Sequence, residues 1–176
     1  ATTEIYTLSL HDALPIWLGL MAEAAAAALD IPPKAIRRKV RRRLGADEQY
    51  ERSEDASEAS ESMVRENGLR FLVRLDDYID TGLFLDHRPA RELVRAAASG
   101  KRVLNLFCYT GSFSVYALAG GAAEVVGVDL SNTYLAWAER NVALNRLDAG
   151  RYRGLRMDAA AFLAEEAARG GACGGE

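Results

Sequence analysis

Between Arg88 and Ala168 the chain alternates short apolar runs with helix-forming runs, and this rhythm restricts the fold more than any other feature. Pro89 suits the first turn of a helix reaching about Ala98, with Gly100 beyond its end. Arg102–Phe107 (RVLNLF), Glu124–Val128 (EVVGV) and Gly154–Met157 are expected as short strands. Ser112–Ala119, Ser131 to about Asn145, and Ala159–Ala168 are expected as helices. Ser131 is placed as a helix cap, and Tyr134, Leu135, Ala138, Val142 and Leu147 fall near one stripe. Repeated strand–helix units imply parallel pairing through crossovers, which is an open α/β sheet.

Upstream the pattern changes. Trp17–Asp30 (WLGLMAEAAAAALD) is a helix by propensity, stopped by Pro32 and Pro33. Lys34–Arg43 holds seven basic residues in ten. Its apolar members Ile36 and Val40 suit either a strand face or helical positions i and i+4, so periodicity does not decide. Asp47–Ser62 has seven acids and little to bury, which reads as a solvated loop. Leu69–Leu75 (LRFLVRL) alternates like a strand, and Asn67-Gly68 before it is a turn signal. The first sixteen residues, ATTEIYTLSLHDALPI, have neither a basic leader nor an apolar core, and Pro15 breaks any helical period. They match an in-frame translation of a common sequencing-library adapter, and are expected to be a scar outside the fold.

Composition narrows the class. With 49% apolar and 27% charged residues, the chain is not wholly disordered, collagen-like or a disulfide scaffold. No run of 18 uncharged apolar residues exists, so no membrane-spanning helix is expected. A net charge of −3 does not announce a nucleic-acid binder; setting aside Glu4 and Asp12 with the scar brings it to −1. That near-neutrality hides the basic run beside the acidic loop. Cys108 and Cys173 have no metal or disulfide spacing, which suits a reducing cytoplasm.

Ligands of open α/β sheets bind beyond the carboxyl ends of the strands. The first such end is Asn105-Leu106-Phe107-Cys108-Tyr109-Thr110-Gly111-Ser112, where Gly111 permits close backbone approach. Asp129 ends the second strand and can accept from two ribose hydroxyls; Asp158 ends the third and can accept from an exocyclic amine. The set favours a nucleoside over a dinucleotide, since the GxGxxG fingerprint and the Walker loop are both absent. A sulfonium beside Phe107 or Tyr109 would gain about 0.5–2 kcal/mol of cation–π attraction. Plainer readings stand beside these. Asp158 suits a helix cap, Phe107 and Tyr109 suit a core, and His87 suits a structural or ligand-shell role better than a catalytic base. The basic run suits a solvated face or RNA phosphates.

GLRFLVRLDDYIDTGLFLDHRPAR (Gly68–Arg91) and VLNLFCYTGSFSVYALAGGAAEVVGVDLSNTYLAWAERNVALN (Val103–Asn145) resemble the bacterial 23S rRNA guanine methyltransferases. More narrowly they resemble the C-terminal, guanine-N7 module of the bifunctional RlmKL family. The resemblance spans roughly Ile31–Leu163, and its DTGLFLDHR and NLFCYTGSFSV segments are specific in combination. A sister group, the cytosine-C5 rRNA methyltransferases with a PUA domain, shares the YTG turn and a TGxFLDxR segment. The resemblance implies a class I Rossmann-like methyltransferase fold, S-adenosyl-L-methionine as cofactor, 23S rRNA as partner and no metal. It implies that Asn105, Phe107, Tyr109 and Gly111 surround the methionine and sulfonium end, Asp129 the ribose and Asp158 the adenine amine. Phe84, Asp86 and Arg88, from the segment 81–88, would touch the cofactor. Arg37, Lys39, Arg41 and Arg43 would meet the RNA backbone.

The implied layout is a scar over 1–16, a helix plus basic, β-rich accessory segment over 17–80, and the N-terminal half of a methyltransferase domain over 81–176. The family's Asp-Pro-Pro-Thr/Ser segment, which shapes the target-base pocket, does not occur in the sequence. The expectation is therefore a fragment inactive alone, with no catalytic residue of its own. A fragment of an rRNA cytosine-C5 methyltransferase and a non-catalytic cofactor- or RNA-binding module are the alternatives. The first sheet strand would be left with a bare edge, inviting self-association.

Overall fold

A computed structural model describes residues 10–36, 61–75 and 81–172. The chain divides into two compact units, 1–51 and 52–176. In the first, helix α1 runs Leu10–Leu29 and is followed by a 3₁₀ turn at Pro33–Ala35. It begins seven residues before the expected start and takes Pro15 inside it, although that ring removes an N–H. The alanine-rich turns that follow have the strongest helix propensity of any residue type and carry the element onward. The stop at Pro32 and Pro33 is where the sequence puts it.

The second unit is an α/β fold. Strands β1 (Glu61–Glu66) and β2 (Leu69–Arg74) form an antiparallel hairpin. Its turn residues Asn67 and Gly68 have φ of +49° and +81°, the twist that two-residue hairpins favour. The expected acidic loop therefore gives way to strand at Glu61 and Ser62, and β1 itself carries too mixed a pattern to be read in advance. Residues 47–60 of that loop lie outside the described residues. In β2 the alternation holds: Leu69, Phe71 and Val73 are buried.

After α2 (Arg88–Ala97) the chain enters β3 (Arg102–Leu106), α3 (Ser112–Ala119), β4 (Glu124–Asp129), α4 (Asn132–Leu144), β5 (Tyr152–Arg156) and α5 (Ala159–Ala172). The three strands pair in parallel in the order β3-β4-β5, with Val103 opposite Val125 and Gly127 opposite Gly154. Pleating sends successive residues of β4 to opposite faces. Val125 joins the larger core with Val115, Tyr116, Leu118, Phe71 and Leu83, while Val126 and Val128 pack with Phe162 of α5. Phe71 of the hairpin lies parallel to Tyr116 of α3, ring centres 6.0 Å apart. Burying a ring of this kind is worth about 1.5–3 kcal/mol, so the hairpin is part of the main core.

A polar knot ties hairpin to helices. Glu66, buried at the end of β1, lies 3.0 Å from Arg88 Nε, 2.9 Å from Arg91 Nε and 2.9 Å from the Tyr116 hydroxyl. Helix α4 approaches β2 along the edge that β1 leaves open. Asn145 accepts from the Arg70 N–H (2.8 Å) and donates to its carbonyl (2.7 Å); Asn141 accepts from the Leu72 N–H (2.9 Å); Trp137 Nε1 donates to the Leu72 carbonyl (3.1 Å). Among the described residues no helix is long and apolar enough to cross a membrane.

Candidate functional site

The carboxyl ends of the three parallel strands converge. Beyond β3 the backbone turns left-handed at alternate residues: Phe107 (φ +53°), Tyr109 (φ +50°) and Gly111 (φ +72°). For residues with a Cβ this region costs roughly 1–2 kcal/mol each, so surrounding contacts must hold the loop. Four do. The Cys108 N–H donates to the Val128 carbonyl (2.9 Å), the Gly111 N–H to the Cys108 carbonyl (3.0 Å), and the Tyr109 N–H to Asp129 Oδ2 (2.8 Å). The Thr110 hydroxyl donates to the Gly82 carbonyl (2.6 Å). Gly111 is obligatory on a second count, because a Cβ there would stand 2.5 Å from that of Ala138. The loop thus lies flat on α4, with Cys108 and Thr110 buried and Phe107 79% exposed. A large ring at a strained, solvent-facing position is poor packing and good ligand surface.

Asp129 organises this end of the sheet. Its Oδ2 takes the Tyr109 N–H and its Oδ1 the Ser131 N–H (2.9 Å), while Ser131 caps α4 through the Tyr134 N–H (3.4 Å). The cap assignment of Ser131 agrees with the sequence reading, but Asp129 is more engaged than a free ligand acceptor. Each carboxylate oxygen still has a second lone pair for a hydroxyl. The Met157 N–H donates to the Asp129 carbonyl (3.1 Å), which sets Asp158 at the neighbouring strand end. Asp158 is exposed and accepts from the Ala161 N–H (2.9 Å) through one oxygen, so it caps α5 as the plainer reading had it. Asn105 points to the α3 side and donates to Ser114 Oγ (3.0 Å).

Aromatic rings form the wall. Tyr109 meets Tyr134 edge-on at 4.6 Å and lies 5.5 Å from Phe84 and 6.4 Å from Trp137. Phe84 therefore comes to the loop. Asp86 is exposed, 3.8 Å from His87, and Arg88 turns towards Glu66 of the hairpin. Arg37, Lys39, Arg41 and Arg43 lie outside the described residues. Beneath the loop, Cys108 Sγ sits 3.5 Å from the Tyr152 hydroxyl and 3.9 Å from Ser114 Oγ. Burial pushes this thiol's pKa up, outweighing those hydrogen bonds, and burial also raises that of Tyr152. The left-handed aromatics and the buried Asn141 were not foreseen; the signal available was the spacing of Trp137, Asn141 and Asn145 at successive fourth positions.

Residues 32–163 match the profile of the S-adenosylmethionine-dependent methyltransferases. The chain belongs to this family. Among its relatives, ribosomal RNA large subunit methyltransferase K of Neisseria meningitidis serogroup B is 50% identical over 147 residues, covering 84% of this chain and 41% of that protein. Ribosomal RNA large subunit methyltransferase K/L of Alteromonas mediterranea is 52% identical over 137 residues, 78% of this chain and 19% of that protein. The chain thus spans less than half the length of these relatives. A putative SAM-dependent methyltransferase from Streptococcus mutans superposes with a TM-score of 0.60 at 37% identity, over 62% of this chain and 30% of that one. The putative methyltransferase SMU.776, complexed with SAH, gives 0.60 at 36% identity over 65% and 30%. The expected fold class, a partial Rossmann-like α/β sheet of three parallel strands preceded by a small β-rich segment, agrees with these findings; the β-rich segment is the antiparallel hairpin. So does S-adenosylmethionine as the family's cofactor.

Proposed function

We propose that this chain is the cofactor-holding part of a 23S rRNA methyltransferase acting on guanine N7. The observation that carries this reading is the loop 107–111, bonded through Tyr109 to Asp129 with the Phe107 ring left outside. The residues present fit S-adenosylmethionine: carboxylates at two adjacent strand ends suit a ribose diol and an amine, and a strained aromatic loop suits a sulfonium. Asp129 would hold the ribose hydroxyls and Asp158, by its other oxygen, the adenine amine. Phe107, Tyr109, Gly111 and Asn105 would line the methionine end, with Phe84 as the outer wall and Asp86 and Arg88 at its rim. When bound, the cofactor supplies an electrophilic methyl group.

Guanine N7 carries a lone pair and no proton, so no strong general base is required. Placement of the two reactants contributes most, and proximity and orientation are worth about 7–11 kcal/mol in favourable cases. The base must leave its stack to reach the site. The residues 81–176 would be this catalytic module's cofactor half and 17–80 an accessory part. Arg37, Lys39, Arg41 and Arg43 would meet phosphates, and the setting would be cytoplasmic. Cytosine-C5 chemistry would need a thiolate nucleophile. Cys108, buried with a raised pKa, is unsuited to that role.

Titration calorimetry with S-adenosylhomocysteine tests the reading. Saturable binding by the chain, lost in Asp129→Ala, is expected. A folded chain that takes up none would overturn it, and cofactor binding without any affinity for a 23S rRNA fragment would leave only a cofactor-binding module.

A further inference from the structure

We infer that Asn141 is a positioning residue that couples the β1–β2 hairpin to the left-handed loop; the inference rests on that loop being the cofactor site. Trp137 and Asn141 of α4 and Asn145 at its C-terminal cap fall at i, i+4 and i+8, about 6 Å apart along the axis. Alternate residues of a strand, such as Arg70 and Leu72, are spaced by about 6.6 Å. The two repeats nearly match, so a helical stripe of two amides and an indole takes the place of a strand against the open edge of β2.

Within that stripe Asn141 differs from Asn145. Asn145 gives both its amide functions to Arg70 and to its own helix, with Nδ2 also 2.8 Å from the Asn141 carbonyl. Asn141 divides its functions. Its Oδ1 accepts from the Leu72 N–H at 2.9 Å, and its Nδ2 donates to the Thr110 carbonyl at 2.9 Å. Thr110 is the residue between left-handed Tyr109 and Gly111, and its hydroxyl is held by the Gly82 carbonyl. Asn141 and Thr110 are both fully buried. One buried amide therefore fixes a hairpin N–H and a loop carbonyl together. If the hairpin lifts from α4, Asn141 loses its acceptor role and its donor is free to swing from Thr110. Linkage requires the converse: a ligand that orders the loop must tighten the hairpin.

Two measurements decide it. Asn141→Ala and Asn145→Ala each remove contacts to β2, but only the first removes the bond to the loop. With both proteins folded, Asn141→Ala is expected to weaken S-adenosylhomocysteine binding at least tenfold and to speed amide exchange at Thr110–Ser112. Asn145→Ala should leave both within twofold of the parent. The second measurement uses the unaltered chain: S-adenosylhomocysteine should slow exchange at the Leu72 amide more than at the Arg70 amide. Equal effects of the two substitutions, or Leu72 and Arg70 responding alike, would overturn the coupling. If the parent chain binds no S-adenosylhomocysteine, the cofactor reading fails, and loop exchange in the two variants alone decides the role of Asn141.

Discussion

Removing Glu66 should damage this fold more than removing the arginine paired with it. Arg91 is completely buried; its Nε donates to Glu66 Oε1 and its Nη2 lies 2.7 Å from the same oxygen. Among the described residues Nη1 has no hydrogen-bond partner, and Nη2 has none with bonding geometry. The guanidinium carbon sits 5.9 Å from the Phe113 ring centre and 5.7 Å from that of Tyr116, so ring faces supply the rest of its solvation. Substituting Glu66 by Gln strands a buried cation with only those rings and a neutral oxygen. Breaking a buried pair from one side costs about 3–5 kcal/mol. Arg91→Met is different, because Glu66 keeps Arg88 Nε at 3.0 Å and the Tyr116 hydroxyl at 2.9 Å. Its expected cost is about 1.5–3 kcal/mol, the range for losing one hydrogen bond to a charged group.

The same knot predicts a pH response. Burial alone would raise the Glu66 pKa, but hydrogen bonds from Arg88, Arg91 and Tyr116 with the Arg91 charge hold it below the ordinary value of 4.5. A carboxylate with a depressed folded-state pKa stabilises the fold fully above its unfolded pKa. That contribution fades as pH falls through the lower folded value. Urea unfolding between pH 7 and pH 3 should therefore show the parent losing stability in acid relative to Glu66→Gln, and the gap between them narrowing below about pH 4. The reasoning is refuted if Arg91→Met costs more than Glu66→Gln at pH 7, or if the gap stays constant down to pH 3.

Three further outcomes are expected. Phe107→Gly should raise stability by up to about 1 kcal/mol, since a mostly exposed ring leaves a left-handed position, while weakening S-adenosylhomocysteine binding; unfolding curves and calorimetry read the two effects separately, and lower stability would contradict the strain. Gly127→Ala would bring a Cβ within 2.7 Å of both Cys108 Sγ and the Tyr152 hydroxyl, so it should destabilise by about 1–3 kcal/mol and make Cys108 react faster with iodoacetamide than in the parent. Leu104, 43% exposed on β3 at the end of the described sheet, should promote association through that edge, and Leu104→Lys should shift a sedimentation profile towards monomer; an unchanged profile would remove the edge as the cause.

How much of this was legible depended on whether the signal was periodic. The strands β3 and β4 and helix α3 fall within a residue of their expected ends, because strands of a parallel sheet are written as short apolar runs; β4, with four successive buried residues, is the clearest case. Gly111 was legible because a turn between strand and helix demands it. Strand β1 was not, since ESMVRE buries only Glu66 and a buried glutamate looks, in sequence, like the end of an acidic loop. What makes Glu66 a core residue is Arg91 twenty-five positions away, a pairing with no local trace. The same holds at the site. Asp129 was read as a ligand acceptor from its place at a strand end, yet its first task is to hold the Tyr109 N–H across twenty residues. Asn141 leaves no such signal, because an asparagine on a mostly apolar helix stripe reads as a flaw in the pattern. In a core where almost every buried polar group must be satisfied, such a flaw marks a position where another segment's backbone arrives. Here two segments arrive at it, the edge of the hairpin and the loop that would receive the cofactor.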